Sequence, residues 1–342
     1  MDPKNFFHKA TGVIKSFVSS GIVLMYHRIS DENYDPYAIN VSLNNFISHV
    51  RTVKENFEVI SVLDIPFYKP KRKKFVAITF DDGYKDNLKA FEILDREKIP
   101  ATLFMVTGHL FEQNPEDVLK TIFWEERLKN IFSVDIKEII FNINGKNIHF
   151  FINDSPDPEA IKVQIFKGEF LAGKHIVSKN TAFSYIYTKL KYIDRRKREE
   201  ILLSIEKQVG FNSFSLPEIF MEDDIRRISA CSFLVGAHTE HHEVLSILDY
   251  QDQERQILNS KSKLEKILGK RVETFAYPFG LADDFSSDTL NIVKNCGFSL
   301  AFSGVKGTII PFVINRYIIP RFSVINWNKY IFEKKLKGFF RM

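Results

Sequence analysis

Short runs of apolar, β-branched and aromatic residues recur along the chain, and each stops abruptly at a polar or special residue. They are IVLMY (Ile22–Tyr26), FVAITF (Phe75–Phe80), ATLFMV (Ala101–Val106), SFLVGA (Ser232–Ala237), ETFAY (Glu273–Tyr277), LAFS (Leu300–Ser303) and YIIP (Tyr317–Pro320), with FEVISV (Phe57–Val62) as a further candidate. Short apolar runs with little polar alternation predict strands buried on both faces. Amphipathic stretches of helical period lie between many of them, for example Lys85–Lys98 and Gln253–Leu268, the second followed by Gly269 in a helix-stop position. Strand and helix in alternation predict an α/β fold of parallel strands joined by crossover helices.

One region breaks the alternation. From Glu112 to Phe220 the composition turns polar and lysine-rich. EIIFNINGKNIHFFIN (Glu138–Asn153) reads as two strands around Asn144-Gly145, a strong hairpin signal. YIDRRKREEILLSIEKQV (Tyr192–Val209) reads as a charged helix. The chain is therefore expected to be a single catalytic domain over residues 1–342, with a hairpin-plus-helices insertion at 112–220 between two barrel strands.

The residues that end the strands are chemically active types: His27, Asp81 with Asp82, Thr107, His238, Pro278 with Gly280, and Arg321. Chemistry gathered at strand C-termini is how parallel α/β folds build a site. In ITFDDGY (Ile78–Tyr84) two carboxylates stand side by side after an apolar strand. Both can face one pocket only if the strand stops near Phe80 and the chain turns, which Gly83 permits. Two close carboxylates raise one another's pKa unless a cation neutralises them, so the pair asks for a metal or a basic partner.

In GAHTEHHEVLS (Gly236–Ser246), His238 and His242 are spaced i, i+4, and on a helix they would share one face and grip one ion. With Asp82 they make a two-His, one-carboxylate set with room for water, suited to zinc (Zn2+) and also to cobalt, nickel or iron(II). Asp81 is then placed to act as general base on that water.

TFDDG (Thr79–Gly83) followed by HTEHH (His238–His242) resembles the polysaccharide deacetylase family, carbohydrate esterase family four. FAYPFG (Phe275–Gly280) is similar to that family's third motif in divergent form. The resemblance spans most of Gly21–Val324 apart from the insertion. It implies a distorted (β/α) barrel of about seven strands that hydrolyses the N-acetyl group of a sugar. Carried over by position, Asp81 is the base; Asp82, His238 and His242 are metal ligands; and a backbone N–H near Phe279 donates to the oxyanion. Tyr84, directly after the first motif, and Tyr277, within the third, are expected to contact the sugar.

The chain also departs from the family pattern. Phe275 and Ala276 stand where the family's third-motif Arg is usual, and no His follows His242. Two replacements are expected: Arg321, in IIPRFSV, as the partner of Asp81, and His27, in MYHRI, as the acid that protonates the leaving amine.

Composition narrows the setting. The chain has 342 residues and a net charge of +5, with no lysine or arginine cluster dense enough to argue nucleic-acid binding. Its 33 Phe imply a large aromatic core or aromatic surface. Cys231 and Cys296 are too few for a disulfide framework and are expected to be buried free thiols. The apolar N-terminal stretch is interrupted by Lys15 and lacks a small-residue cleavage site, so a cytoplasmic location is expected, at the inner face of the membrane if at a membrane at all. WNKYIFEKKLKGFFRM (Trp327–Met342) mixes basic and aromatic residues. It reads as a helix closing the barrel, with Trp327, Ile331 and Phe339 or Phe340 as the apolar face, or as a peripheral membrane contact. Trp124 with Glu125 and Glu126 is a candidate sugar-groove lining or a core cluster.

The expected function is a metal-dependent hydrolase that removes N-acetyl groups from an amino sugar of a cell-surface polysaccharide or its precursor. The alternatives are a carbohydrate-binding barrel that has lost turnover and a glycoside hydrolase using Asp81 and Asp82. The second would require adjacent residues to flank one glycosidic bond, at about 5 Å or more apart.

Overall fold

The computed structural model describes residues 20–69, 73–153, 171–210, 216–231 and 233–342. The expectations for the N-terminal stretch up to residue 19 lie outside the described residues. The chain divides into two compact units, Met1–Gln113 with Glu218–Met342, and Asn114–Pro217.

The first unit is built on one curled parallel sheet. Its strands are β1 (Gly21–Tyr26), β2 (Glu58–Val59), β3 (Phe75–Phe80), β4 (Thr102–Met105), β5 (Leu234–Ala237), β6 (Thr274–Ala276), β7 (Leu300–Phe302) and β8 (Phe322–Ser323). They pair in the order β7-β6-β5-β4-β3-β1-β8, with β2 also beside β3. β1 and β3 run in register from Gly21 opposite Phe75 to Tyr26 opposite Phe80. Every residue of both strands is buried, as unbroken apolar runs require of strands covered on both faces. The sheet curls back on itself through the backbone before β8: the Ser303 and Ile319 N–H groups donate to the Ile319 and Ala301 carbonyls, each at 2.9 Å. This is the distorted (β/α) barrel expected of the sequence, with seven strands along the paired path.

Two of the apolar runs behave differently from expectation. YIIP does not form a strand of its own. It makes a single bridge, Ile319 to Phe302, and the last strand begins two residues beyond Pro320, at Phe322. Pro320 has no N–H to continue the ladder. FEVISV yields only the two residues of β2, because Ser61 then caps a 3-10 turn, Val62–Phe67, by accepting the Leu63 N–H.

The crossovers carry α1 (Leu43–Asn56), α2 (Leu88–Arg96), α3 (Glu222–Ala230), α4 (Tyr250–Leu268), α5 (Ser287–Asn295) and α6 (Lys329–Phe339). α2 starts later than the pattern predicts, because Lys85–Asn87 is a 3-10 turn. α4 ends as expected, with Gly269 at φ +62°, but starts three residues earlier than expected, where Asp249 accepts the Asp252 N–H. α6 packs on the barrel, and its inward face is Phe332, Leu336 and Phe339. Ile331 lies on the outside, so the expected apolar stripe is displaced by about a residue. Much of the phenylalanine goes to the interior. Phe75, Phe104 and Phe302 interlock with Ala77 and Ala276 in one cluster, large side chains against small ones. The cysteines are free but not buried: Cys231 is exposed and Cys296 is half-buried. No described helix is long and apolar enough to cross a membrane.

The second unit contains the expected hairpin, Glu138–Ile143 with Lys146–Ile152, turned through Asn144 and Gly145 at φ +50° and +76°. A third strand, Gly173–Val177, adds in parallel to the second. Among the described residues four helices accompany them: Pro115–Ile122, Trp124–Ile131, Lys179–Lys191 and Arg195–Gln208. Trp124 is a core residue. It is buried, stacks on Tyr187 at 5.6 Å and lies under the Arg198 guanidinium at 5.1 Å. Glu126 is buried as well, so this cluster does not line an open groove. Arg127 is held bidentately by Glu206 at 2.8 and 3.0 Å.

His49, on α1, ties the barrel to its C-terminal segment. Its Nε2–H donates to the Trp327 carbonyl at 2.7 Å, its Nδ1 accepts from the Tyr26 hydroxyl at 3.3 Å, and its ring stacks on Phe332 at 3.8 Å. Burial pushes its pKa down from 6.5 to about 4, against the opposing pull of the Trp327 carbonyl. A His with a depressed folded pKa contributes stability that is present above pH 6.5 and is lost as pH falls from there towards about 4. Urea titrations should therefore show a loss of about 2 kcal/mol between about pH 7 and about pH 5 from this group. A His49→Gln variant should show a correspondingly flatter profile over the same window.

Candidate metal centre

β3 ends at Phe80, and the ladder continues one residue further as the Asp81 N–H donates to the Tyr26 carbonyl at 3.0 Å. The turn then falls on Asp82 itself. Asp82 has φ +73°, and the Gly83 N–H donates back to the Asp81 carbonyl at 2.9 Å, a γ-turn centred on a non-glycine residue. Gly83 follows at φ +96°, and a Cβ there would lie 2.3 Å from the Met105 sulfur. The turn thus works as the sequence required, but aspartate as well as glycine takes the left-handed conformation.

This turn sends the two carboxylates to different partners. Asp81 receives both terminal nitrogens of Arg321, Nη1 to Oδ1 and Nη2 to Oδ2, each at 2.7 Å. Both residues are about 1–2% exposed. Arg321 is fixed in turn by the Ser303 carbonyl on Nε at 3.0 Å and the Thr79 hydroxyl on Nη1 at 3.3 Å. The structure therefore brings Arg321 to Asp81 in the bidentate geometry that suits a carboxylate best.

Asp82 faces two imidazoles. Its Oδ1 lies 3.4 Å from His238 Nε2 and 3.3 Å from His242 Nε2. All three side chains are buried, and their ligand atoms lie within 4.8 Å of one another. Burial pulls the Asp82 pKa up, but with the imidazoles protonated His242, His238 and His27 together outweigh it and hold the carboxyl below its ordinary range.

The donor set fits a cation. His238 Nδ1 faces the Ala276 carbonyl at 2.8 Å, so that nitrogen carries the proton. In the neutral ring Nε2 then presents a lone pair to the carboxylate, two acceptors face to face. Asp82 Oδ1 is buried and makes no hydrogen bond. Ligands about 2.0–2.1 Å from a tetrahedral ion stand about 3.4 Å apart, close to the separations seen here.

The two histidines reach this position without a helix, contrary to the i, i+4 reading. Residues 238–244 after β5 form an irregular loop in which Thr239 and His242 take φ +66° and +55°. The Thr239 hydroxyl accepts the His242 N–H at 3.0 Å. From α4, Gln256 holds both the His241 N–H and its Nδ1, at 2.9 and 2.8 Å. Lys263 reaches Glu240 at 3.1 Å.

Sequence reasoning missed these supports. Gln256 and Lys263 are two helical turns apart on one face of α4, a polar stripe that could have been read as a contact with the loop.

The remaining predicted residues divide. His27 follows β1 directly and is half-buried; its charge bears on Asp82, and Asn87 holds its carbonyl at 2.7 Å. Phe279 takes φ +58° in a second γ-turn, in which Gly280 N–H donates to the Pro278 carbonyl. Its ring centroid lies 4.8 Å from that of His242. Four residues at or beside the centre, Asp82, Thr239, His242 and Phe279, thus hold left-handed backbones, the kind of strain that gathers at working sites.

The two tyrosines expected at the sugar are buried. Tyr277 is buried, stacks on Phe285 at 4.3 Å and donates its hydroxyl to the Tyr317 carbonyl at 2.9 Å. Tyr84 is buried beneath the Arg28 guanidinium at 5.1 Å. Both are barrel-core residues.

Comparison with known proteins agrees with this architecture. A family model described as polysaccharide deacetylase matches residues 68–126 and 170–301. The chain belongs to the polysaccharide deacetylase family. Over 113 residues it is 31% identical to a poly-beta-1,6-N-acetyl-D-glucosamine N-deacetylase of Staphylococcus aureus, covering 28% of this chain and 39% of that protein. The chain thus matches well under half the length of such curated relatives. A polysaccharide deacetylase from Bacillus cereus superposes with TM-score 0.56 at 18% identity, over 94% of this chain and 70% of that one. A Streptococcus pyogenes deacetylase solved in complex with acetate gives 0.55 at 15% identity, over 94% and 98%. At these identities the structural likeness speaks for the fold.

Removing one partner of a buried ion pair leaves the other charge unpaired in the interior. Arg321→Ala should destabilise the protein by about 3–5 kcal/mol in urea unfolding. A loss under about 1 kcal/mol would be the value of an exposed pair, and would contradict the buried geometry.

Proposed function

We propose that this chain is a hydrolase that removes N-acetyl groups from an amino sugar of a cell-surface polysaccharide or its precursor. One observation carries the reading: a carboxylate held rigidly by Arg321 stands next in sequence to a carboxylate that joins two imidazoles in a buried three-donor set. Family membership supports the same reaction class.

Asp82, His238 and His242 would hold a divalent transition metal, with zinc the best fit to two imidazoles and a carboxylate. When bound, the metal supplies Lewis acidity and lowers the pKa of a coordinated water. The chain's own residues do the rest.

Asp81 is the general base. Each of its oxygens accepts one Arg321 N–H and keeps a second lone pair, so the pair fixes its direction without using up its capacity for a proton. Water loses a proton to Asp81 as its oxygen bonds to the acetyl carbonyl carbon. The charge that develops on the carbonyl oxygen is met by a backbone N–H near Phe279, which the γ-turn holds in a fixed direction. His27 gives a proton to the sugar nitrogen as the C–N bond breaks, so acetate and a free amine leave. Asn87 on the His27 carbonyl, and Arg28 with Asp86 at 2.9 Å, clamp the His27 segment to the loop that follows Asp82.

Acetate release from N-acetylglucosamine oligomers is the test. A chelator should abolish turnover, and a restored divalent metal should recover it. Asp81→Asn should lower kcat by about a thousandfold or more with metal content unchanged, whereas Asp82→Asn should lose the metal. Full turnover by the Asp81→Asn protein, or full activity in chelator, would remove this mechanism. His27→Ala should lower kcat by about a hundredfold or more. Unchanged turnover in that variant would take His27 out of the scheme.

A further inference from the structure

The end of the barrel opposite the metal centre carries an unusual surface. Three apolar side chains stand out into solvent there: Phe67 at 70% exposure, Phe312 at 64% and Val313 at 58%. They come from two segments that pack together at the strand N-termini. Ile65 and Tyr68 share one buried cluster with Ile309, against which Ile314 also packs, and the Arg316 guanidinium lies over the Phe67 ring at 5.6 Å. Ile309 pairs with Gly21, the first residue of β1, which fixes the cluster at that end of the barrel.

The charge around these side chains is mostly positive, with Asp64, exposed in the same 3-10 turn as Phe67, as an acid beside them. Residues 65–74 read IPFYKPKRKK and residues 305–317 read VKGTIIPFVINRY, and neither stretch contains an acid. Lys69, Lys73, Lys74, Lys306 and Arg316 are exposed. Lys74 lies over the ring of Phe340, just past the end of α6, which adds a further aromatic to the same end.

We propose that this face is a peripheral membrane contact for an anionic lipid surface. Exposed aromatics and aliphatics rimmed by lysine and arginine are the chemistry of interfacial insertion combined with attraction to acidic headgroups. The segment before β1 is a poor alternative occupant, because it carries Lys4, Lys9 and Lys15 against only Asp2 and would bring like charge to a basic face. The contact replaces the one expected of α6, whose apolar stripe is turned into the barrel. It also sets an orientation. β1 has six residues, so the metal centre at the strand C-termini faces away from the lipid, about 20 Å above it.

Vesicle flotation with the full chain tests this. Vesicles of phosphatidylcholine with roughly 30% phosphatidylglycerol should capture the protein, pure phosphatidylcholine should capture far less, and added salt should weaken the binding. Phe67→Ser with Phe312→Ser should weaken binding by about tenfold or more. Lys69→Glu with Arg316→Glu should weaken it by at least about fivefold per charge. Unchanged far-UV circular dichroism and thermal midpoints would show that these variants are folded. Failure of the unmodified chain to bind anionic vesicles would overturn the proposal. So would variants that bind as it does, or capture that ignores lipid charge. None of these readings depends on catalysis, so they stand apart from the deacetylase test.

Discussion

Two adjacent carboxylates buried at the end of one strand are the constraint around which the rest of the site is arranged. Left together without counter-charge they would cost several kcal/mol of desolvation each. The chain resolves this by turning at Asp82, so that the neighbours part and meet different positive partners. Asp81 meets a guanidinium that arrives from the edge of the sheet beyond β1, just ahead of β8. Asp82 meets two imidazoles from the loop after β5. β8 pairs with β1 and β1 with β3, which brings Arg321 within reach of Asp81, and the Ser303 carbonyl just past β7 accepts the Arg321 Nε–H. The same guanidinium thus touches both ends of the curled sheet.

The strained backbones follow from the same demand. A left-handed Asp82 and a left-handed His242 are each unfavourable alone, by about 1–3 kcal/mol. They persist because their neighbours are fixed: Gly83 against Met105, the Thr239 hydroxyl on the His242 N–H, and Gln256 on His241. α4 thus holds the loop that carries two of the three donor residues.

Much of this could be read from residue order. Unbroken apolar runs located β1, β3, β4, β5, β6 and β7, and the chemistry at their ends pointed to Asp81, Asp82, His238 and His242. The absence of the usual third-motif arginine suggested Arg321 as a substitute, and Arg321 does pair with Asp81. What could not be read depends on contacts distant in sequence. The i, i+4 spacing of His238 and His242 suits a helix, but the hydrogen bonds from Gln256 and Thr239 set a loop instead. A tyrosine at a strand end looks the same in sequence whether it faces a pocket or, like Tyr277, donates its hydroxyl inward to a carbonyl. The C-terminal segment carries two overlapping stripes, and only packing on α1 through His49 and Phe332 selects Phe332, Leu336 and Phe339.

The site geometry also separates the hydrolytic readings. A glycosidase would need both carboxylates directed at one bond, whereas the turn at Asp82 sends Asp81 to Arg321 and Asp82 to the two imidazoles. The account stands on a cation at the meeting point of Asp82 Oδ1, His238 Nε2 and His242 Nε2. Anomalous diffraction from zinc-soaked crystals measures this directly. The account predicts one strong peak about 2.0–2.2 Å from each of those three atoms. Soaked crystals with no peak there, or with zinc only on other histidines such as His149 or His175, would contradict it.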